Sequence, residues 1–227
     1  MSGYINPEGK VMQLFYKITE TMLLSILWVI ASIPMVTIGA ASAALYYAFN
    51  KVVKEDCGYA WGEFWNGFRM NFKQATPVWL VALVICAGLA ADIFVMLPLA
   101  INGERGDFFW IFFMILLGIA IMWMVFIFAY MARFEDNTKT ILKNSFWIYL
   151  MHFMPALLLL VILVVEVAVV IIFPITLPIA AFFFPGGFTF VANLILEKIF
   201  KKYRKDEEPM EEDCEWEGTE ELEAYSE

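Results

Sequence analysis

The chain has 227 residues, 62% of them hydrophobic, with a mean hydropathy of +0.72. A soluble globule of this length cannot hide that much apolar surface, because most residues of any globule lie near its surface. The excess must face lipid or other membrane-buried helices. The formal charge of −9 describes one end only: twelve of the 24 acids follow Lys205, and the remainder sets fifteen bases against twelve acids.

A helix needs about 20 apolar residues to cross a hydrocarbon core of about 30 Å. No charge interrupts 21–50, 74–91 or 108–132, and 144–197 holds only Glu166 and Glu197. The start MSGYINPEGK lacks the pattern of a cleavable signal peptide, so the first apolar run is expected to stay. That run is too long for one helix and is interrupted by Pro34 and Gly39. It reads as a hairpin: one helix over 11–33, then a second from Thr37 or Ile38 to 54, with Thr37 as its cap. A third helix is predicted over 76–101 and a fourth over 108–133. A fifth over 145–173 and a sixth over 175–200 are parted at Pro174 and Pro178. The alternative, a single kinked helix in place of the hairpin, gives five spans.

The fold class is therefore all-α, a polytopic transmembrane bundle of about six spans. The membrane domain covers 1–205. An acidic tail over 206–227 is expected to be disordered and cytoplasmic. Six spans with both termini inside put 14 of the 15 bases on the cytoplasmic side and leave only Arg105 outside. That is the positive-inside pattern of a plasma-membrane protein.

Two segments between spans look amphipathic. In AWGEFWNGFRMNFK, residues Trp61, Phe64, Trp65, Phe68 and Phe72 keep helical spacing, away from Glu63, Arg69 and Lys73. The segment suits a cytoplasmic helix lying in the headgroup layer, or equally one packed under the bundle. DNTKTILKNSFWIY is the second, with Asp136 or Asn137 as a cap. Phe68 and Pro77 stand 78 residues before Phe146 and Pro155, a hint of internal duplication. The cluster from Lys201 to Lys205 suits anionic lipid, and the acidic stretch beyond it could dock a basic partner.

Within IPMVTIGAASAALYYAF and FWNGFRMNFKQAT the sequence resembles the YesL family of bacterial membrane proteins, which is defined by a domain of unknown function. The residues that carry the resemblance are Leu27, Trp28, Ser32, Pro34, Thr37, Gly39, Ala43, Ala44, Leu45 and Tyr46, then Phe68, Phe72, Lys73 and Gln74. It extends over roughly 15–200 and is densest in the first third. Ala40 stands where many relatives have Pro, and Ser25 where many have Asn, which argues against a polar role for Ser25. The family's members are similar to proteins encoded beside carbohydrate uptake and polysaccharide degradation systems of Gram-positive bacteria. The resemblance implies a role around sugar import and brings no activity with it.

Ionisable residues inside a bilayer are costly and often functional. Asp92 and Glu166 qualify, at matching predicted depths. Facing one another, they would share a proton or hold a cation; otherwise each reaches headgroups or a buried hydroxyl. Pro185, Gly186 and Gly187 interrupt the sixth helix, as in transporters that expose backbone to substrate, or simply kink it to fit its neighbours. Gly39, Ala40, Ala43 and Ala44 present small residues for close helix packing. His152, the only histidine, has no ligand partner nearby, so neither metal nor cofactor is expected. The three cysteines, Cys57, Cys86 and Cys214, read as reduced thiols. No phosphate-binding glycine loop, zinc-binding HExxH or nucleophile elbow is present, so the chain is not expected to be an enzyme.

Two functions follow as expectations. One is an accessory or regulatory component of a carbohydrate uptake system, its partners being the lipid bilayer and that system, with no nucleic acid. The other is a small-solute transporter or channel acting through Asp92, Glu166 and Pro185–Gly187; with so few spans it would need a homodimer.

Overall fold

The computed structural model describes residues 10–101, 107–134 and 136–203. Its regular elements there are all helical. They are α1 (Lys10–Ser32), α2 (Ile38–Ala48), α3 (Ala60–Ile101), α4 (Asp107–Met131), α5 (Thr138–Met151), α6 (Phe153–Ile172) and α7 (Leu177–Tyr203). Among the described residues five helices are long and apolar enough to cross a membrane: α1, α3, α4, α6 and α7.

The hairpin forms where it is expected. Pro34 cannot donate and disfavours helix in the residue before it, so α1 stops at Ser32 and a 3₁₀ turn, Met35–Thr37, reverses the chain. Thr37 does not cap α2. Its hydroxyl instead donates back to Ala31 O and to Pro34 O (2.7 Å), satisfying carbonyls at the end of α1. α2 continues into a π-helical turn, Phe49–Lys54. This second arm therefore covers 38–54, about 25 Å at 1.5 Å per residue. It is too short to count among the spans by length, which is why five helices qualify where about six are expected.

α3 departs most from the sequence reading. It is one helix of 42 residues, about 63 Å or twice the thickness of a hydrocarbon core. The amphipathic segment 60–73 is its first part and not a separate interfacial helix. Pro77 is the only breaker nearby, and it removes just the hydrogen bond to the Lys73 carbonyl. Two contacts fix α3 along the hairpin. Its first amide, Ala60 N, donates to Glu20 Oε2 (3.2 Å) midway along α1, and Trp79 Nε1 donates to Met35 O (2.7 Å) at the hairpin tip. The part of α3 from Leu80 onward extends past that tip.

The fifth predicted helix is two helices. Pro155 cannot donate to the Met151 carbonyl and its ring crowds it, so the chain bends at His152 (φ −117, ψ 44) between α5 and α6. Pro155 thus follows a break, whereas Pro77 lies inside a continuous helix, and the two halves do not repeat one another at that point. α5 packs on α4 through Phe126–Tyr149 and Trp123–Phe146 ring contacts and buries Ile141 and Ile148. The second amphipathic segment therefore lies under the bundle.

α2 sits at the centre. Ala40, Ala43 and Tyr46 face a core built with α4, α5 and α7, while Ala41, Ala44, Leu45 and Ala48 face a second core built with α1 and the start of α3. The 3.6-residue period puts the two sets on different faces of one helix. Its small side chains let four neighbours approach. A Cβ on Gly39 would lie 2.5 Å from Trp79 Cβ and 3.0 Å from Ala75 O.

α1 begins and α7 ends at the same end of the bundle, called basal below. There Lys17 pairs with Asp56 (3.1 Å), Lys51 with Glu63 (3.4 Å) and Lys54 with Glu197. Arg133, just after α4, donates to Asn50 Oδ1 (2.8 Å) in the π turn. The acidic tail over 206–227 lies outside the described residues.

Candidate functional site

The sequence marks two groups of residues in the spans, and the structure treats them differently. Asp92 lies on the part of α3 beyond the hairpin tip and is exposed. Val84, Gly88 and Val95 share its face at helical spacing. Val84 and Val95 are exposed as well, and a Cβ on Gly88 would meet nothing within 4 Å. Glu166 is half-buried on α6. α3 and α6 each pack on α4 and make no extended contact with one another. Among the described residues neither carboxylate has a hydrogen-bond or ion-pair partner.

Pro185, Gly186 and Gly187 do not open α7, which runs unbroken from Leu177 to Tyr203. Packing absorbs the defect. The Gly186 amide donates to Ser25 Oγ (3.0 Å), and that hydroxyl donates to Thr21 O (2.9 Å). A Cβ on Gly186 would lie 2.5 Å from Ser25 Oγ and 2.8 Å from Thr21 O. The PGG sequence thus makes a close crossing of α1 and α7. Ser25 is fully buried and serves as its polar joint. The sequence reading gave Ser25 no such role. The signal available was a lone hydroxyl within an apolar run, the kind of group that must find a partner once buried.

Gly39, Ala40, Ala43 and Ala44 are all buried at the centre of the bundle. His152 takes the bend between α5 and α6. Cys86 is free, whereas Cys57, in the loop before α3, is disulfide-bonded, against the reading of reduced thiols. Among the described residues no group of three or more His, Cys, Asp or Glu side chains is placed to hold a metal ion.

What the arrangement offers is therefore a surface more than a cavity. Asp92 stands on a helix face that no other described residue covers. Asp92 lies nine residues before the end of α3, and a charged side chain facing lipid is costly, which favours covering it with a partner that can donate to it.

No curated protein and no solved structure matches the chain. A family model described as "Protein of unknown function, DUF624" matches residues 21–93, from the start of the hairpin's apolar run to just past Asp92. That match agrees with the resemblance to the YesL family of membrane proteins of unknown function read from the motifs around Pro34 and Phe68.

Proposed function

We propose that this protein is a non-enzymatic accessory component of a carbohydrate uptake system in the bacterial plasma membrane, docking on a membrane subunit of that system through the α3 face around Asp92. The observation that carries the reading is the exposed, unpaired Asp92 on a helix face made of small and aliphatic residues. Gly88 one turn away permits close approach of another helix, and the carboxylate selects one that brings a basic or hydroxyl side chain. A symmetric pairing of two copies through this face would bring two Asp92 carboxylates together, which like-charge repulsion disfavours. The occupant is thus a different chain. The link to sugar import rests on the family resemblance.

The basal end, with Lys17, Lys51, Lys54 and Arg133, is assigned to the cytoplasm by the positive-inside rule, and both termini with it. The transporter alternative would need Asp92 and Glu166 on one cavity and an opened α7; their helices flank α4, and α7 is continuous.

The test is purification from native membranes in mild detergent, comparing the wild type with Asp92→Leu. The wild type should retain a membrane subunit of a sugar uptake system. The variant should lose it while keeping its own elution profile. Equal recovery from both would remove Asp92 from the interface, and recovery of no such subunit by the wild type would sink the proposal.

A further inference from the structure

A cleft of about 590 Å³ lies between α1, the π turn and α7. Its wall changes character along α7. At the basal end Lys54 pairs with Glu197, and Lys17, paired with Asp56, lies on the same rim. One turn further in stands Asn193. It is only 5% exposed, yet its Nδ2 has no hydrogen-bond partner. Beyond Asn193 the α7 wall is apolar for about 15 Å, through Phe190 and Gly187 to Phe183.

A buried amide donor left without an acceptor costs about 1–3 kcal/mol. Such a group in a native protein calls for an acceptor that arrives from outside. Whatever fills the cleft must then offer charges at one end, a hydrogen-bond acceptor about 6 Å deeper, and a long apolar body beyond. Lipids lie in that order: headgroup, ester carbonyl, acyl chain. The rim holds Lys17, Lys54 and Glu197, and Asp56 balances Lys17 from just outside the lining, so the four charges cancel. That matches a zwitterionic headgroup, its phosphate toward the lysines and its ammonium toward Glu197. Phe183, Phe190 and Leu194 are exposed along the opening, which places the cleft within reach of the bilayer.

We infer that this cleft is a binding site for one acyl chain of a zwitterionic phospholipid, with Asn193 Nδ2 donating to its ester carbonyl. The site is separate from the α3 face and does not depend on the function proposed above.

Photolabelling provides the test. The full-length protein is reconstituted in phosphatidylethanolamine/phosphatidylglycerol vesicles containing a trace of phosphatidylethanolamine with a diazirine in its acyl chain. It is then irradiated, and adducts are mapped by mass spectrometry. Adducts should concentrate on residues 182–194 and 18–22, above the level on the lipid-facing residues of α6. Gly187→Leu fills the cleft without touching the fold, since a Cβ there meets nothing within 4 Å; it should bring cleft labelling down to the α6 level. Asn193→Leu should lower capture roughly five-fold, the worth of one hydrogen bond. The inference is overturned if Gly187→Leu, with unchanged elution and melting temperature, labels as the wild type does. It is equally overturned if labelling is uniform over all lipid-facing helices, or if a phosphatidylglycerol probe is captured in preference.

Discussion

The basal and distal parts of this molecule are packed in opposite ways. The basal part comprises the hairpin, α3 up to Trp79, the end of α4, α5 and the end of α7. It holds the buried residues of both cores, among them Leu24, Phe64, Phe126 and Phe200. The distal part comprises α3 beyond Leu80, the first half of α4 and most of α6. Between Lys73 and Ile121, Ala75 is the only buried residue among those described, and from Leu160 to Ile179 there is none. The distal spans are the more apolar of the two and yet bury almost nothing; what sets the basal part apart is the small side chains at its centre. The basal part has a helix of glycine and alanine at its centre, which four other helices can approach. The distal part presents large side chains such as Phe94, Phe108 and Ile171 outward, and in a membrane these face lipid or another chain.

Substitutions of glycine sharpen the contrast. The largest effect is expected from Gly39→Leu, because the first atom added would already collide with Trp79 Cβ and crowd the Ala75 carbonyl. The variant should fail to give monodisperse protein in size-exclusion chromatography. Gly186→Val should come next. It forces α1 and α7 apart at Ser25 and Thr21, an overpacking cost of about 2–3 kcal/mol, read as a melting temperature lower by roughly 5–10 °C. Ser25→Ala keeps the close approach but leaves the Gly186 amide without its acceptor. A loss of about 1 kcal/mol should lower the melting temperature by roughly 2–4 °C. Gly88→Val stands at the other extreme. Nothing lies within 4 Å of its added atom, so the melting temperature in detergent should not move. A clear drop there would mean that the distal face packs within this chain.

The same contrast separates what could be read in the sequence from what could not. Pro34, Gly39 and the alanines of α2 announced a tight hairpin because breakers and small residues act locally. Pro174 likewise marked the turn before α7. The length of α3 was hidden, since the charges Arg69 and Lys73 looked like the end of a span. Along a helix that runs beside the hairpin they only mark one exposed side. Pro155 and Pro185 show why a proline alone decides little. The first follows a bend at His152. The second lies inside a continuous helix, and the amide after it donates to Ser25, 161 residues away. Asp92 and Glu166 were legible as costly residues, but which helices flank α4 is a matter of tertiary arrangement that hydropathy does not carry.

The most direct measurement is site-specific photo-crosslinking from position 84, one face-repeat before Gly88 and Asp92, in native membranes. The crosslinker replaces an exposed valine, so the fold is not at stake. The account predicts a heteromeric adduct with a membrane subunit of a carbohydrate uptake system, which disappears when Asp92→Leu is added. Adducts to lipid alone, or to a second copy of this chain, would contradict it.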